Sequence, residues 1–332
     1  MAHWYKTRER FFADALPTWV GSAAQNDSST TMANAMSNIG FIGAGHVGTA
    51  LAVGLARAGY NVVAVASRSN ASAQTLAQHV PGCCAAQSPK DVLSTSDIVF
   101  LTVSDDAIAT VAAGLPWRKG QAAVHCSGAL SSEALESACG KGATVGCFHP
   151  LQTFASREGG EEKLAGSTFA VEGEGWLRTW LEEAARKLGG FPVYIKAEDK
   201  ALYHASAILA CGYVTTLVDA ATGLWEQMGL SREEGLRALL PLVRGTVDNL
   251  ERMGTAQAAT GPIVRGDTGT VRRHLDALAD RAPEALALYR ELGLAMVRLA
   301  QRRESINDRQ AEELRGLLES HTIVHESLAG VG

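Results

Sequence analysis

The chain has 332 residues, 46% of them hydrophobic and 20% charged, with a formal net charge of −5. That length exceeds one ordinary core and suits two domains of a soluble globular protein. The acidic balance argues against nucleic acid or an anionic membrane as the main partner, so any affinity for phosphate must be local.

Residues 1–36 read as a disordered extension. Lys6, Arg8 and Arg10 precede a short apolar stretch in the manner of a weak signal peptide, but Asp14 and Pro17 interrupt it and a Ser/Thr/Asn/Ala run follows. The folded chain is expected to begin near Met36, and removing the tail should leave folding and cofactor affinity unchanged. No run is read as approaching a membrane-crossing helix.

Asn38-Ile-Gly-Phe-Ile-Gly43-Ala44-Gly45-His46-Val47-Gly48 then reads as strand, tight turn and helix, the helix running to about Gly59. The three glycines of this pattern permit the turn, the approach of backbone to a pyrophosphate, and close packing of helix on strand; the free N–H groups of the helix start face an anion. A second strand, Asn61–Ala66, follows within the ~30 residues of a βαβ unit, which favours a dinucleotide site over an ordinary strand–helix connection. Where an NAD-binding chain would place a carboxylate for the ribose 2′-hydroxyl, this one has Ser67-Arg68-Ser69. A guanidinium and two hydroxyls suit a 2′-phosphate, hence NADP; the alternative is that Arg68 is a solvated loop arginine.

Strand and helix continue to alternate. A helix from about Ala71 to His79, a short strand at Cys83–Ala85 and a helix capped by Ser88-Pro89-Lys90-Asp91 lead to the apolar strand Asp97–Val103. Ser104 opens the next helix. Gln121–Cys126 is a strand ending at Ser127, a helix follows from Ser131 to Ala138, and Ala143–Phe148 is a strand ending in a loop at His149-Pro150. Strands at Thr168–Val171 and Pro192–Ile195 flank a helix near Trp176–Leu188. The whole is an α/β, Rossmann-type, mainly parallel sheet over residues 37–196. Ligands of such sheets sit outside the carboxyl ends of the strands, which assigns the glycine loop, Val103, Ser104 and Ser127 to the cofactor and turns His149 and Gln152 toward substrate. For His149 a bond within its own loop is an equal alternative.

From residue 197 to 330 the chain reads as helix only, a substrate and dimerisation domain. Glu198–Met228 is apolar nearly all round and would span roughly 45 Å, so it is expected to be a buried spine. Gly229 stops it, and Ser231-Arg-Glu-Glu234 is a capping box for a helix reaching about Met253. Thr260–Asp267 is a polar loop carrying Arg265, which could pair with a substrate carboxylate or with Asp267. Helices near Val271–Leu278, Pro283–Arg302 and Asp308–Ser320 complete the chain.

The six cysteines form no CxxC pair and sit mostly in apolar runs, so they read as reduced thiols of a cytoplasmic protein. His321 and His325 share a helical face without an acidic or cysteine partner, and no metal is expected. Lys200 and His204 are four apart on one face at the start of the spine helix. A lysine in a first helical turn meets the positive end of the dipole, which would make it a readier proton donor in a reductase; the alternative is two ordinary residues at a domain junction.

Ile42–Gly48, Ser67-Arg68-Ser69, His149-Pro-Leu-Gln152-Thr-Phe154, Asp199-Lys200-Ala-Leu-Tyr203-His204 and Thr260–Asp267 together resemble the Rossmann-like proteins that carry the domain of unknown function 2520, over about residues 37–300. The resemblance implies kinship with ketopantoate reductase, pyrroline-5-carboxylate reductase and the deazaflavin-dependent NADP reductases of the 6-phosphogluconate dehydrogenase-like superfamily. In ketopantoate reductases a lysine near the start of the first helix after the nucleotide domain is the proton donor, assisted by a polar side chain four residues on. Lys200 and His204 match that spacing, with histidine in place of asparagine. The expectation is an NADP-dependent reductase of a small 2-oxo acid such as ketopantoate; the alternatives are an imine reductase of the pyrroline-5-carboxylate type or a non-catalytic NADP sensor. Relatives associate through the helical domain, and so apolar a spine should need a second copy to cover it, so a homodimer is expected.

Overall fold

In the computed structural model, which describes residues 37–320, the chain divides into two compact units, residues 1–206 and 207–332. The expected tail at 1–36 and the pair His321 and His325 lie outside the described residues.

The first unit is an eight-stranded sheet: β1 (Asn38–Ile42), β2 (Asn61–Ala66), β3 (Cys84–Ala85), β4 (Ile98–Leu101), β5 (Ala122–His125), β6 (Thr144–Leu151), β7 (Thr168–Glu172) and β8 (Phe191–Tyr194), in spatial order β3-β2-β1-β4-β5-β6-β7-β8. All neighbours are parallel except β6 and β7. Helices α1 (His46–Arg57), α2 (Asn70–His79) and α6 (Gly175–Lys187) cover one face; α3 (Pro89–Thr95), α4 (Asp105–Ala113) and α5 (Glu136–Cys139) cover the other. Strands clothed on both sides must be apolar throughout, and Ile98–Leu101 and Ala122–His125 are buried at every position. The segment expected as one helix from Ser131 to Ala138 is a 3₁₀ turn, Ser132–Leu135, running into the single turn α5.

The chain winds outward from β1 to β3 and then returns to β4 on the other side of β1, which opens a crevice beyond the carboxyl ends of β1 and β4. Register continues across that edge: Ile42 pairs with Leu101, Leu101 with His125 and His125 with Cys147. At ~4.8 Å per strand, the ends of β1 and β6 lie roughly 14 Å apart, within the reach of one dinucleotide.

Strand β6 outruns its sequence-based boundary. Its first half pairs with β5, while its second half pairs antiparallel with β7, His149 opposite Ala170 and Leu151 opposite Thr168. His149 therefore belongs to the strand and not to a loop; the partner that extends the ladder comes from twenty residues downstream and leaves no local signal.

The spine expectation is corrected twice. The apolar run is two helices, α7 (Lys200–Ala210) and α8 (Gly212–Glu226), broken where Cys211 leaves helical geometry at φ −120° and ψ −75°. It is also largely exposed, with Leu202 at 75% and Leu209 at 62%. The run Ala197–Glu226 holds a window of mean hydropathy 1.5 with 6% of it buried, so by length and composition one stretch does pass for a membrane span, contrary to expectation. The break at Cys211 interrupts that stretch.

The remaining helices are α9 (Arg232–Ala258), α10 (Thr268–Arg281), α11 (Pro283–Arg302) and α12 (Asp308–Ser320). Helix α9 loses helical geometry at Gly254, φ +73°, next to the expected end at Met253. The core of the second unit is built by α10, α11 and α12 around Val271, Leu275, Val297 and Leu314, with Ile263 and Val264 of the 260–267 turn buried among them. The division between units falls after Ser206, later than the boundary read at residue 196, because the first two turns of α7 are held by side chains of the sheet.

Candidate active site

The crevice at the β1–β4 switch is a cavity of about 780 Å³, lined by the glycine turn Gly43-Ala44-Gly45, the β2 end Ser67-Arg68-Ser69, the β4 end Thr102-Val103-Ser104, and Arg157. The glycines divide into two physical groups. A β-carbon on Gly43, whose φ is +113°, would lie 2.4 Å from the carbonyl oxygen of Thr102, and one on Gly48 would lie 2.6 Å from that of Gly43. Those two residues are small so that strand, turn and helix can touch. At Gly45 a β-carbon would meet nothing within 4 Å. No protein neighbour requires that glycine, and the space it leaves opens into the crevice. Gly45 caps α1 without a side-chain bond and the first turn of α1 holds no acid, so the N–H groups of its start are free for an anion. The residues present therefore fit a dinucleotide phosphate.

At the neighbouring end, Arg68 makes no hydrogen bond or ion pair among the described residues. Ser69 caps α2 by accepting from Ser72 N–H at 3.3 Å, which leaves its O–H free to donate. His46 sits at the start of α1 and contacts the carbonyl oxygen of Phe154 through Nδ1 at 2.9 Å, so the chain after β6 is tied to the glycine turn. Val47 packs on the sheet core beside them. Thr102 lends rigidity, its hydroxyl donating to Gly43 O at 2.8 Å.

Further along the edge, the Ser127 hydroxyl donates to Asp105 Oδ2 at 2.7 Å and accepts from the N–H groups of Ala129 and Leu130. This hydroxyl, expected to hold the cofactor, gives its one proton to Asp105 and shapes the 127–130 turn. His125, fully buried, accepts from Ser127 N–H at Nδ1, which leaves Nε2 to donate to Ser131 O at 2.9 Å. Burial pushes its pKa down against the raising effect of the Ser131 bond.

Period-two geometry puts Cys147 and His149 on one face of β6, and the antiparallel register sets Glu172 of β7 opposite Cys147. The start of α7 closes over that face. Lys200, 1% exposed, points Nζ at Glu172 Oε1 (3.3 Å), Cys147 Sγ (3.1 Å) and Ser127 O (3.4 Å). Glu172 Oε2 accepts from Ser132 N–H at 2.9 Å. Lys200, expected to be a proton donor facing substrate, forms in the structure a buried ion pair with a carboxylate remote in sequence, which the β6–β7 register sets opposite Cys147. Burial pushes the Cys147 thiol up to about 12 even though Lys200 pulls it down.

Above this pair, His149 Nδ1 is 2.8 Å from the Tyr203 hydroxyl, and the His149 ring meets those of Tyr203 and His204 edge-on at centroid distances of 5.6 and 6.2 Å. Burial first, then the nearby Lys200 charge, pushes His149 down to about 3, so its imidazole is neutral at ordinary pH; burial likewise raises the Tyr203 phenol. Gly128 makes this crowding possible, since a β-carbon there would lie 2.6 Å from His204 Cδ2 and 2.8 Å from His149 Nε2.

The structure thus brings together Lys200, Tyr203, His204 and His149 at the β5 and β6 ends, and Gly43 to Gly48, Ser67 to Ser69, Val103 and Ser104 at the crevice. Gln152 is exposed and spends its amide on the loop, bonding Lys163 O, Ser167 Oγ and Thr153 N–H. Arg265 lies exposed on the turn before α10 in the second unit, where its charge helps Thr270 hold the Asp267 carboxyl below its usual range. Sequence reasoning missed Glu172 and Cys147. The available signal was a carboxylate directly after the apolar strand Thr168–Val171, two residues of odd chemistry that only the β6–β7 register unites.

The model of a Rossmann-like domain matches residues 23–150, and that described as domain of unknown function DUF2520 matches 167–296. No curated protein matches the chain in sequence. Among solved structures, a candidate NADP oxidoreductase from Bacteroides fragilis is 24% identical with TM-score 0.63, over 85% of this chain and 99% of that one. The protein TM1727 of Thermotoga maritima is 26% identical with TM-score 0.64, over 80% and 99%. A pyrroline carboxylate reductase of Plasmodium falciparum with NADP bound is 18% identical with TM-score 0.52, over 85% and 98%. The chain thus carries a Rossmann-like domain followed by a domain of unknown function 2520.

Proposed function

We propose that this protein is an NADP-dependent oxidoreductase that reduces a carbonyl of a small carboxylate-bearing metabolite, a 2-oxo acid of the ketopantoate kind being the first class to test. The observation that carries the reading is the β1–β4 crevice, with an open glycine at the helix start and an unpaired arginine at the β2 end. The first-turn N–H groups of α1 hold the pyrophosphate, and Arg68, Ser67 and Ser69 hold the 2′-phosphate. NADPH, when bound, supplies the hydride. The work left to the chain is to orient the acceptor and to manage one proton. His149, neutral and fixed by Tyr203, donates an N–H hydrogen bond to the substrate heteroatom, and His204 across the Gly128 notch delivers the proton. Lys200 and Glu172 set the electrostatics beneath these rings and position α7.

The same burial of Lys200 favours a second reading, reduction of a cyclic imine, because a protonated C=N needs no strong acid from the protein. Following NADPH consumption with a panel of 2-oxo acids and cyclic imines separates them. Turnover with 2-oxo acids supports the first reading and turnover with imines alone the second. Tight NADPH binding with no turnover on either class would move the protein to a non-catalytic sensor. The exposed apolar surface of the helical unit further supports a homodimer formed through that unit.

A further inference from the structure

Besides Arg68, one other charged side chain lines the crevice, Arg157, and sequence reasoning gave it no part. It stands at the tip of the loop that follows β6. Lys163 Nζ donates to Thr153 O at 3.1 Å, Gln152 reaches Lys163 and Ser167, and Arg57 pairs with Glu161 at 3.0 Å, so both sides of the loop are fastened. The Ser156 hydroxyl donates to Glu158 O at 2.8 Å, pinching the chain around Arg157. At Gly160 a β-carbon would come within 3.1 Å of Ala50 of α1, so the loop lies against that helix. The bond from His46 to Phe154 O then brings the loop to the first residue of α1, the place where a helix start meets an anion. Arg157 makes no hydrogen bond or ion pair to protein among the described residues, and no carboxylate lines the crevice.

Two guanidiniums without a protein partner among the described residues line one crevice: Arg68 at the β2 end and Arg157 on the loop that follows β6. We infer that Arg157 is a pyrophosphate-binding residue, closing over the diphosphate from the side opposite the helix N–H groups, while Arg68 takes the 2′-phosphate. The inference rests on the dinucleotide reading of the crevice. Its consequence is a division of labour that the two cofactors can report, because NADH and NADPH share the pyrophosphate and differ only at the 2′ position.

The experiment titrates NADPH and NADH into the full-length protein by cofactor fluorescence, with no substrate present, for the parent chain, Arg157→Ala, Arg157→Lys and Arg68→Ala. Arg157→Ala is expected to weaken both cofactors about tenfold or more and by the same factor, the scale of one charge-assisted hydrogen bond, with Arg157→Lys in between. Arg68→Ala should weaken NADPH alone. Unchanged binding of both cofactors by Arg157→Ala overturns the inference, and so does a loss confined to NADPH, which would make Arg157 a 2′-phosphate contact. Equal loss of both cofactors in Arg68→Ala would instead overturn the 2′-phosphate assignment and leave Arg157 standing. A parent chain that binds neither cofactor overturns the crevice reading and the inference with it.

Discussion

Lys200 and Glu172 are both buried to within a few per cent and face each other at 3.3 Å. Breaking one partner of such a pair strands the other away from water, which typically costs ~3–5 kcal/mol, whereas removing both can be nearly neutral. Lys200→Met should therefore lower unfolding free energy by about that amount in urea denaturation, and Glu172→Leu added to it should restore most of the loss. Additive losses in the double variant would show that the pair is not a unit. A second residue-scale effect concerns pH. The unfolded imidazole of His149 titrates near 6.5, while in the folded chain burial and the Lys200 charge hold it near 3. Between those values the unfolded chain binds a proton the native one refuses, so stability is full above about 6.5 and falls as pH drops toward 3. His125 is lowered too and acts in the same direction. His149→Asn should flatten the fall measured between pH 6.5 and 5 by about half or more, and an unchanged slope would remove His149 as a source. At this scale the sequence carries the residue types but not the company they keep. Lys200 was legible as special from its place in a first helical turn, but its counter-charge sits on a strand reached only through antiparallel pairing.

Elements whose ends carry local chemistry were the most legible. The capping box at Ser231 is formed as read: Ser231 N–H donates to Glu234 Oε2 at 2.8 Å and Glu234 N–H to Ser231 Oγ at 3.2 Å. Both bonds satisfy orphan N–H groups of α9 at an exposed helix start, so Ser231→Ala should cost ~1 kcal/mol in thermal or urea unfolding with cofactor binding untouched. A loss below about 0.3 kcal/mol would mean that water replaces the cap at no cost. The α10 to α12 segments also follow their apolar periodicity, since each is amphipathic and buries one stripe. Where the pattern was apolar on every side it carried no phase: α7 and α8 part at Cys211, and the one local sign of the break is the glycine that follows it, Gly212. Strand β6 shows the converse case. Its second half is a strand because β7 pairs with it, and a histidine-proline pair after an apolar run gave the opposite local signal.

For the whole molecule, the sequence's sign of organisation is its change from alternating strand and helix to helix alone, while the two compact units divide after Ser206. What covers the apolar surface of the second part was not, because a sequence that hides a face in its own core looks the same as one that hides it against another chain. The structure separates those cases within the chain. Leu209, Tyr213, Leu242 and Val247 are 62%, 54%, 68% and 55% exposed, although α10 to α12 bury a complete core of their own. A stable interface removes roughly 800 Å² per partner, and apolar area is worth about 25 cal/mol per Å² before the costs of association, so exposed side chains of this size on α7, α8 and α9 can supply one. With a net charge of only −5 on 332 residues, long-range repulsion between copies is weak. The parent chain should therefore be a dimer at micromolar concentration by light scattering, and Leu209→Asp with Leu242→Asp should shift it to monomer while leaving NADPH affinity within about twofold, because the crevice is built wholly in the first unit. A parent chain that scatters as a monomer would overturn the homodimer, and a double variant that stays dimeric would move the interface off this face.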